Sequence, residues 1–122
     1  MSAVDHEELV RRAFEAFNRG DLDVVREISS PNMRIVPLRA ALEDTAYTGP
    51  NAIDDFWADA TSAWSEQSVE IESVESEGDR AVARGVLRST ARESGAPVET
   101  RATWTFTFRD GLIEEIETRA EA

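Results

Sequence analysis

The chain has 122 residues, 41% of them hydrophobic, which is enough for one domain with a sizeable core. Its formal net charge of −12 opposes binding to nucleic acid or to anionic membrane surfaces. It has no cysteine, its 13 basic residues are all arginine and it has one histidine, so disulfides, thiol nucleophiles, Schiff-base lysines and most transition-metal sites are excluded.

In chain order, residues 5 to 18 read as an amphipathic helix. Asp5 is its cap, and Glu8 completes a capping-box spacing. Leu9, Val10, Ala13, Phe14 and Phe17 form one stripe. His6 falls in the first turn and is expected at the surface, with no catalytic role. The Arg19-Gly20-Asp21 triplet looks like an adhesion ligand out of context. Its flanks are amphipathic, however, so a helix junction is the better reading: Gly20 ends one helix in a left-handed conformation and Asp21 caps the next. Leu22, Val25 and Ile28 give that second helix its apolar side.

Residues 33 to 37 are β-like, and 38 to 48 read as a loop containing Tyr47. Thr48-Gly49-Pro50 opens a third helix, whose expected buried stripe is Ile53, Phe56, Trp57, Ala60 and Trp64. From Gln67 the period changes to two. Strands are expected at 67–76, 80–90, 98–109 and 112–119, with turns at Glu77-Gly78-Asp79, Ser94 to Pro97 and Asp110-Gly111. The chain shows no repeat, membrane span or signal-peptide pattern, so one domain over 1–122 and a cytoplasmic location are expected.

Three segments, "AFNRGDLDVV", "YTGPNAIDDFW" and "WTFTFRDGLIEEI", together with this order of elements, resemble the nuclear transport factor 2-like superfamily and its SnoaL-like, polyketide cyclase-related branch. The resemblance implies an α+β cone: three N-terminal helices packed on a curved, mainly antiparallel sheet around a pocket. Homodimers formed sheet to sheet are common among such proteins. The Thr103, Thr105 and Thr107 face suits that role.

The implied function is binding of a small hydrophobic or aromatic molecule. Phe14, Phe17, Pro37, Tyr47, Phe56, Trp57, Trp64, Trp104 and Phe106 are the expected ligand-binding residues. No cofactor and no metal site are expected. Laid over the related ketosteroid isomerases, the chain has Ala13, Pro37 and Trp104 where that chemistry needs a tyrosine, a carboxylate base and a protonated aspartate. Isomerisation is therefore not expected. Against the Asp–Arg–Asp set of epoxide hydrolases of this fold, Glu99, Arg101 and Thr103 form an incomplete match. As an alternative, a cyclase-, isomerase- or hydrolase-type enzyme would use Glu117 or Glu99 as base, with Tyr47 or an arginine as electrophilic partner. A second alternative is a protein-interaction module working through the outer sheet face. Arg84 and Arg88 share a strand face. They point to an anionic ligand if that face is inward, and to pairing with Glu70 or Glu72 if it is outward, the orientation preferred here.

Overall fold

The fold was obtained as a computed structural model that describes residues 5–37 and 46–121. Helix α1 runs His6–Arg19 and α2 Leu22–Glu27. Strand β1 follows at Ser29–Val36, then β2 at Tyr47–Thr48 and helix α3 at Ala52–Ala63. Four long strands complete the order: β3 Trp64–Glu77, β4 Arg80–Ala91, β5 Pro97–Arg109 and β6 Leu112–Ala120. All six strands form one sheet in the order β2-β1-β6-β5-β4-β3. The pairs β3–β4, β4–β5, β5–β6 and β1–β2 are antiparallel, whereas β1–β6 is parallel. The sheet is thus mixed but mainly antiparallel, and the protein is α+β.

The helix ends obey local chemistry. Asp5 accepts from the Glu8 N–H at 3.2 Å, and Gly20 closes α1 at φ +70°. Asp21 then accepts from the Val24 N–H at 3.4 Å to start α2. The Arg-Gly-Asp triplet is therefore a helix junction. Asn18 beside it has a further role. Its side-chain amide donates to the Val69 carbonyl at 2.9 Å and accepts from the Val69 N–H at 2.8 Å. That amide pairs with the edge strand β3 as a strand neighbour would, and ties the end of α1 to it.

Several boundaries differ from the sequence expectation. Strand β1 begins at Ser29 rather than Met33, carried by its parallel pairing with β6. Residues 38–45 of the expected loop lie outside the described residues, but Tyr47 and Thr48 form a strand paired with Ile35 and Arg34. Helix α3 starts at Ala52, behind a turn through Gly49–Asn51. Trp64 is extended, at φ −124° and ψ 130°, and opens β3 instead of closing the helix. Its side chain had fitted the helical stripe, but pairing with Ala91 overrode that periodicity.

The core lies between the helices and one sheet face. Trp104, Phe106 and Phe108 of β5 are buried there, with Val10, Ala13 and Phe14 of α1 and Met33 and Ile35 of β1. Gly85 permits a close approach: a Cβ there would stand 2.1 Å from the Glu70 carbonyl oxygen, next to a bulge between Ile71 and Ser73. Asp110 and Gly111 both take positive φ, 53° and 79°, as a tight hairpin turn requires.

Candidate functional site

The two sheet faces follow from strand register. On β5, Val98, Thr100, Ala102, Trp104 and Phe106 face the helices, while Glu99, Arg101, Thr103, Thr105 and Thr107 face away. The β5–β6 hairpin pairs Trp104 with Thr118 and Phe106 with Ile116, which puts both partners on the inner face. On β4, Leu87 and Ser89 face in.

Between this face and the helices lies a cavity of about 650 Å³. Phe14, Phe17, Pro37, Phe56, Trp57, Trp64, Trp104 and Phe106 all line it. Their rings are mutually oriented. Phe14 meets Trp104 and Phe106 edge-on at centroid distances of 5.2 and 5.6 Å, and Phe17 meets Trp57 edge-on at 5.6 Å. Edge-to-face contacts of this kind fix ring orientation and leave flat faces along the wall. Ala13, Pro37 and Trp104, which the isomerase overlay places in catalytic positions, are all on the lining.

Tyr47 is not among the described lining residues. Its ring packs edge-on against Phe56 at 5.8 Å, and its hydroxyl donates to the Asp59 carboxylate at 2.5 Å. It supports the wall from behind.

Neither proposed base reaches this cavity. Glu117 pairs with Thr105 across β5–β6, so it lies on the outer face, where it accepts from Arg119 Nε at 3.1 Å. A bulge is the reason: Phe108 pairs with Ile113 but Thr107 with Glu115, and this one-residue shift gives Ile116 and Thr118 the inner positions and turns Glu117 away. Glu99 is outside by the alternation of β5, 3.8 Å from Arg88 Nε, and borders an adjoining groove. No described residue lining the cavity carries a carboxylate, guanidinium or imidazole group.

The arginines are outward too. Arg88 pairs with Glu70 at 3.6 Å as well as with Glu99, and Arg84 lies 3.9 Å from Glu75 and 4.0 Å from Glu121. Arg101 bonds to Glu72, and that hydrogen bond is the main reason its guanidinium is pushed up from its ordinary value. The outer face is therefore a lattice of intrachain ion pairs around a strip of threonines. His6 stacks on Phe108 at 4.0 Å, outside the cavity lining.

The polar lining consists of Gln67, Ser89, Thr100 and Thr118. Gln67 Nε2 donates to Ser89 Oγ at 3.3 Å. None of the four carries a sequence signal of a site residue. Counting by twos from Trp104 reaches Thr100, but the simple Asp110-Gly111 hairpin register would put Glu117 opposite Trp104, and only the bulge between Thr107 and Phe108 brings Thr118 there.

Solved structures share this architecture. One is an NTF2-like protein of unknown function from Burkholderia pseudomallei, 22% identical, with a TM-score of 0.84 over 94% of this chain and 89% of that one. Another is a candidate SnoaL-like polyketide cyclase from Jannaschia sp. CCS1, 24% identical, TM-score 0.82, over 99% and 90%. A third is a candidate polyketide cyclase from Sinorhizobium meliloti, 28% identical, TM-score 0.73, over 91% and 93%. No curated protein matches the chain. The sequence itself matches the SnoaL-like domain family across residues 10–116, from the first buried turn of α1 to the inward Ile116 of the last strand, and the chain belongs to that family, within the NTF2-like superfamily.

Proposed function

We propose that this protein binds a flat, mainly apolar small molecule in the aromatic cavity. The observation that carries this reading is the lining itself. Aromatic rings from α1, α3 and β5 converge on about 650 Å³, and the polar groups are few and uncharged. A volume of this size accommodates a drug-sized ligand, and apolar walls with sparse hydrogen-bonding groups are the usual form of such sites. The Trp104 indole N–H, with the Thr100 and Thr118 hydroxyls, can orient a carbonyl or hydroxyl on the ligand. The 28% identical S. meliloti protein, named a candidate polyketide cyclase, supports polycyclic, oxygenated aromatics as the ligand class.

With the cavity lining free of carboxylate, guanidinium and imidazole groups among the described residues, binding rather than proton transfer by Glu117 or Glu99 is the function assigned. Titration of the protein with a flat polycyclic quinone, followed by tryptophan fluorescence, tests this. Saturable quenching is expected, weakened in Trp104→Ala. Absence of quenching by flat hydrophobic ligands would reject the reading.

The outer face supports a second proposal, a two-fold homodimer through the sheet. Thr103, Thr105 and Thr107 form a half-buried, uncharged strip flanked by Arg84, Arg101, Glu117 and Arg119, which are paired within the chain, and by Arg80 opposite Thr107. Such an uncharged strip can be covered by its own copy across a two-fold axis. No helix among the described residues is long and apolar enough to cross a membrane. We place the dimer in the cytoplasm.

A further inference from the structure

A second concavity of about 810 Å³ adjoins the aromatic cavity and differs from it in chemistry. Phe17, Trp57, Trp64, Gln67, Ser89 and Val98 line both spaces, so the two adjoin at a neck made of those side chains. Beyond the neck the walls turn polar: Thr61, Ser65, Ser68 and Thr90 contribute hydroxyls, and Asn18 an amide.

The groove's charges balance. Arg19 and Arg88 are matched by Glu66 and Glu99. Both cations are already engaged, Arg19 at 3.8 Å from Asp21 and Arg88 with Glu70 and Glu99. An anion entering the groove would meet carboxylates and no unpaired guanidinium. An uncharged group rich in hydroxyls would meet matching donors and acceptors. At the neck, Ser89 is only 6% exposed and accepts from Gln67, which leaves its own O–H and the second Gln67 Nε2–H able to donate to a ligand oxygen. The Trp57 and Trp64 rings and Val98, which is 41% exposed, offer apolar surface at the same place. Indole faces of this kind stack on the C–H faces of a sugar ring.

We infer that the ligand is a conjugate: a flat apolar ring system in the inner cavity, joined through an oxygen held by Gln67 and Ser89 to an uncharged polyhydroxylated group, such as a glycosyl, in the outer groove. This rests on the cavity being the ligand site and adds what lies beyond it.

Calorimetric titration with three probes tests it: 2-naphthol, 2-naphthyl β-D-glucoside and 2-naphthyl sulfate. The glucoside is expected to bind about tenfold tighter than the naphthol, consistent with two or three additional hydrogen bonds of ordinary net strength. Gln67→Leu should remove that advantage, weakening the glucoside about tenfold more than the naphthol. If naphthol binds and the glucoside is no tighter, the conjugate assignment fails and the cavity reading stands. If the sulfate binds tightest, the uncharged assignment is wrong. If none of the three binds, both readings fall.

Discussion

Asn18→Asp changes one atom type and should destabilise the protein in a pH-dependent way. The Val69 N–H can only donate and the Val69 carbonyl can only accept, and Asn18 satisfies both, at 2.8 and 2.9 Å. An ionised aspartate keeps the first bond and loses the second, and it sets a carboxylate oxygen against a carbonyl oxygen. It also adds negative charge at the C-terminal end of α1, where the helix dipole opposes it. The lost hydrogen bond is worth about 1 kcal/mol, and the unfavourable charge placement adds about 1 to 2. For a domain of this size that total corresponds to a loss of roughly 8 to 12 °C in Tm at neutral pH.

The sign with pH follows from the same contact. The folded state disfavours the charged form, so the introduced aspartate has a folded pKa above its unfolded one. The penalty is full above the folded pKa and disappears below the unfolded one, because a protonated carboxyl regains an O–H donor for the Val69 carbonyl. Thermal melts of wild type, Asn18→Asp and Asn18→Ala between about pH 4 and pH 7 read this out. The Asp variant should approach wild type on acidification, while the Ala variant keeps a constant deficit. An Asp variant as stable as wild type at neutral pH, or one whose deficit ignores pH, would refute the pairing of Asn18 with the β3 edge.

Other perturbations have equally defined outcomes. Gly85→Ala should cost about 3 kcal/mol or more, because its Cβ meets the Glu70 carbonyl at 2.1 Å and backbone cannot swing aside; chemical denaturation with an unchanged midpoint would count against the strand approach. Asp21→Ala should cost about 1 kcal/mol through loss of the α2 cap, and less if the 3.4 Å bond is as weak as its length implies, measured by the same melts. Sedimentation at micromolar concentration should give a two-chain species, and a clean monomer of 13.5 kDa would remove the sheet-to-sheet dimer.

The fold was legible wherever local chemistry is self-sufficient. Asp5, Gly20 and Asp21 mark helix ends by their own side chains or backbone freedom, and Asp110-Gly111 marks a hairpin. Each occurs in the structure as the sequence implied. Legibility failed where a partner distant in sequence decides. Trp64 satisfies a helical stripe locally but is claimed by Ala91, and Tyr47 sits in a loop-like stretch but pairs with Ile35. The aromatic wall was readable because large rings at periods of 3.6 and 2 converge whatever the fine register. The carboxylates were not. A facing error of one residue inverts a strand, and Glu117 is on the outside because Ile116 and Thr118 take the inner positions. Gln67 and Ser89 gave no signal, since their pairing depends on the β3–β4 register across an intervening bulge.

The most direct test of the central claim uses the indole N–H signals of Trp57, Trp64 and Trp104 in a nitrogen–proton correlation spectrum. All three line the cavity, and Trp104 is the most deeply enclosed, at 6% exposure. Addition of a flat polycyclic quinone should shift the Trp104 indole signal most, with Thr100 and Thr118 amides following and the outer-face Thr103, Thr105 and Thr107 amides changing little. Shifts confined to that outer face, with the Trp104 indole unmoved at saturating ligand, would contradict the account.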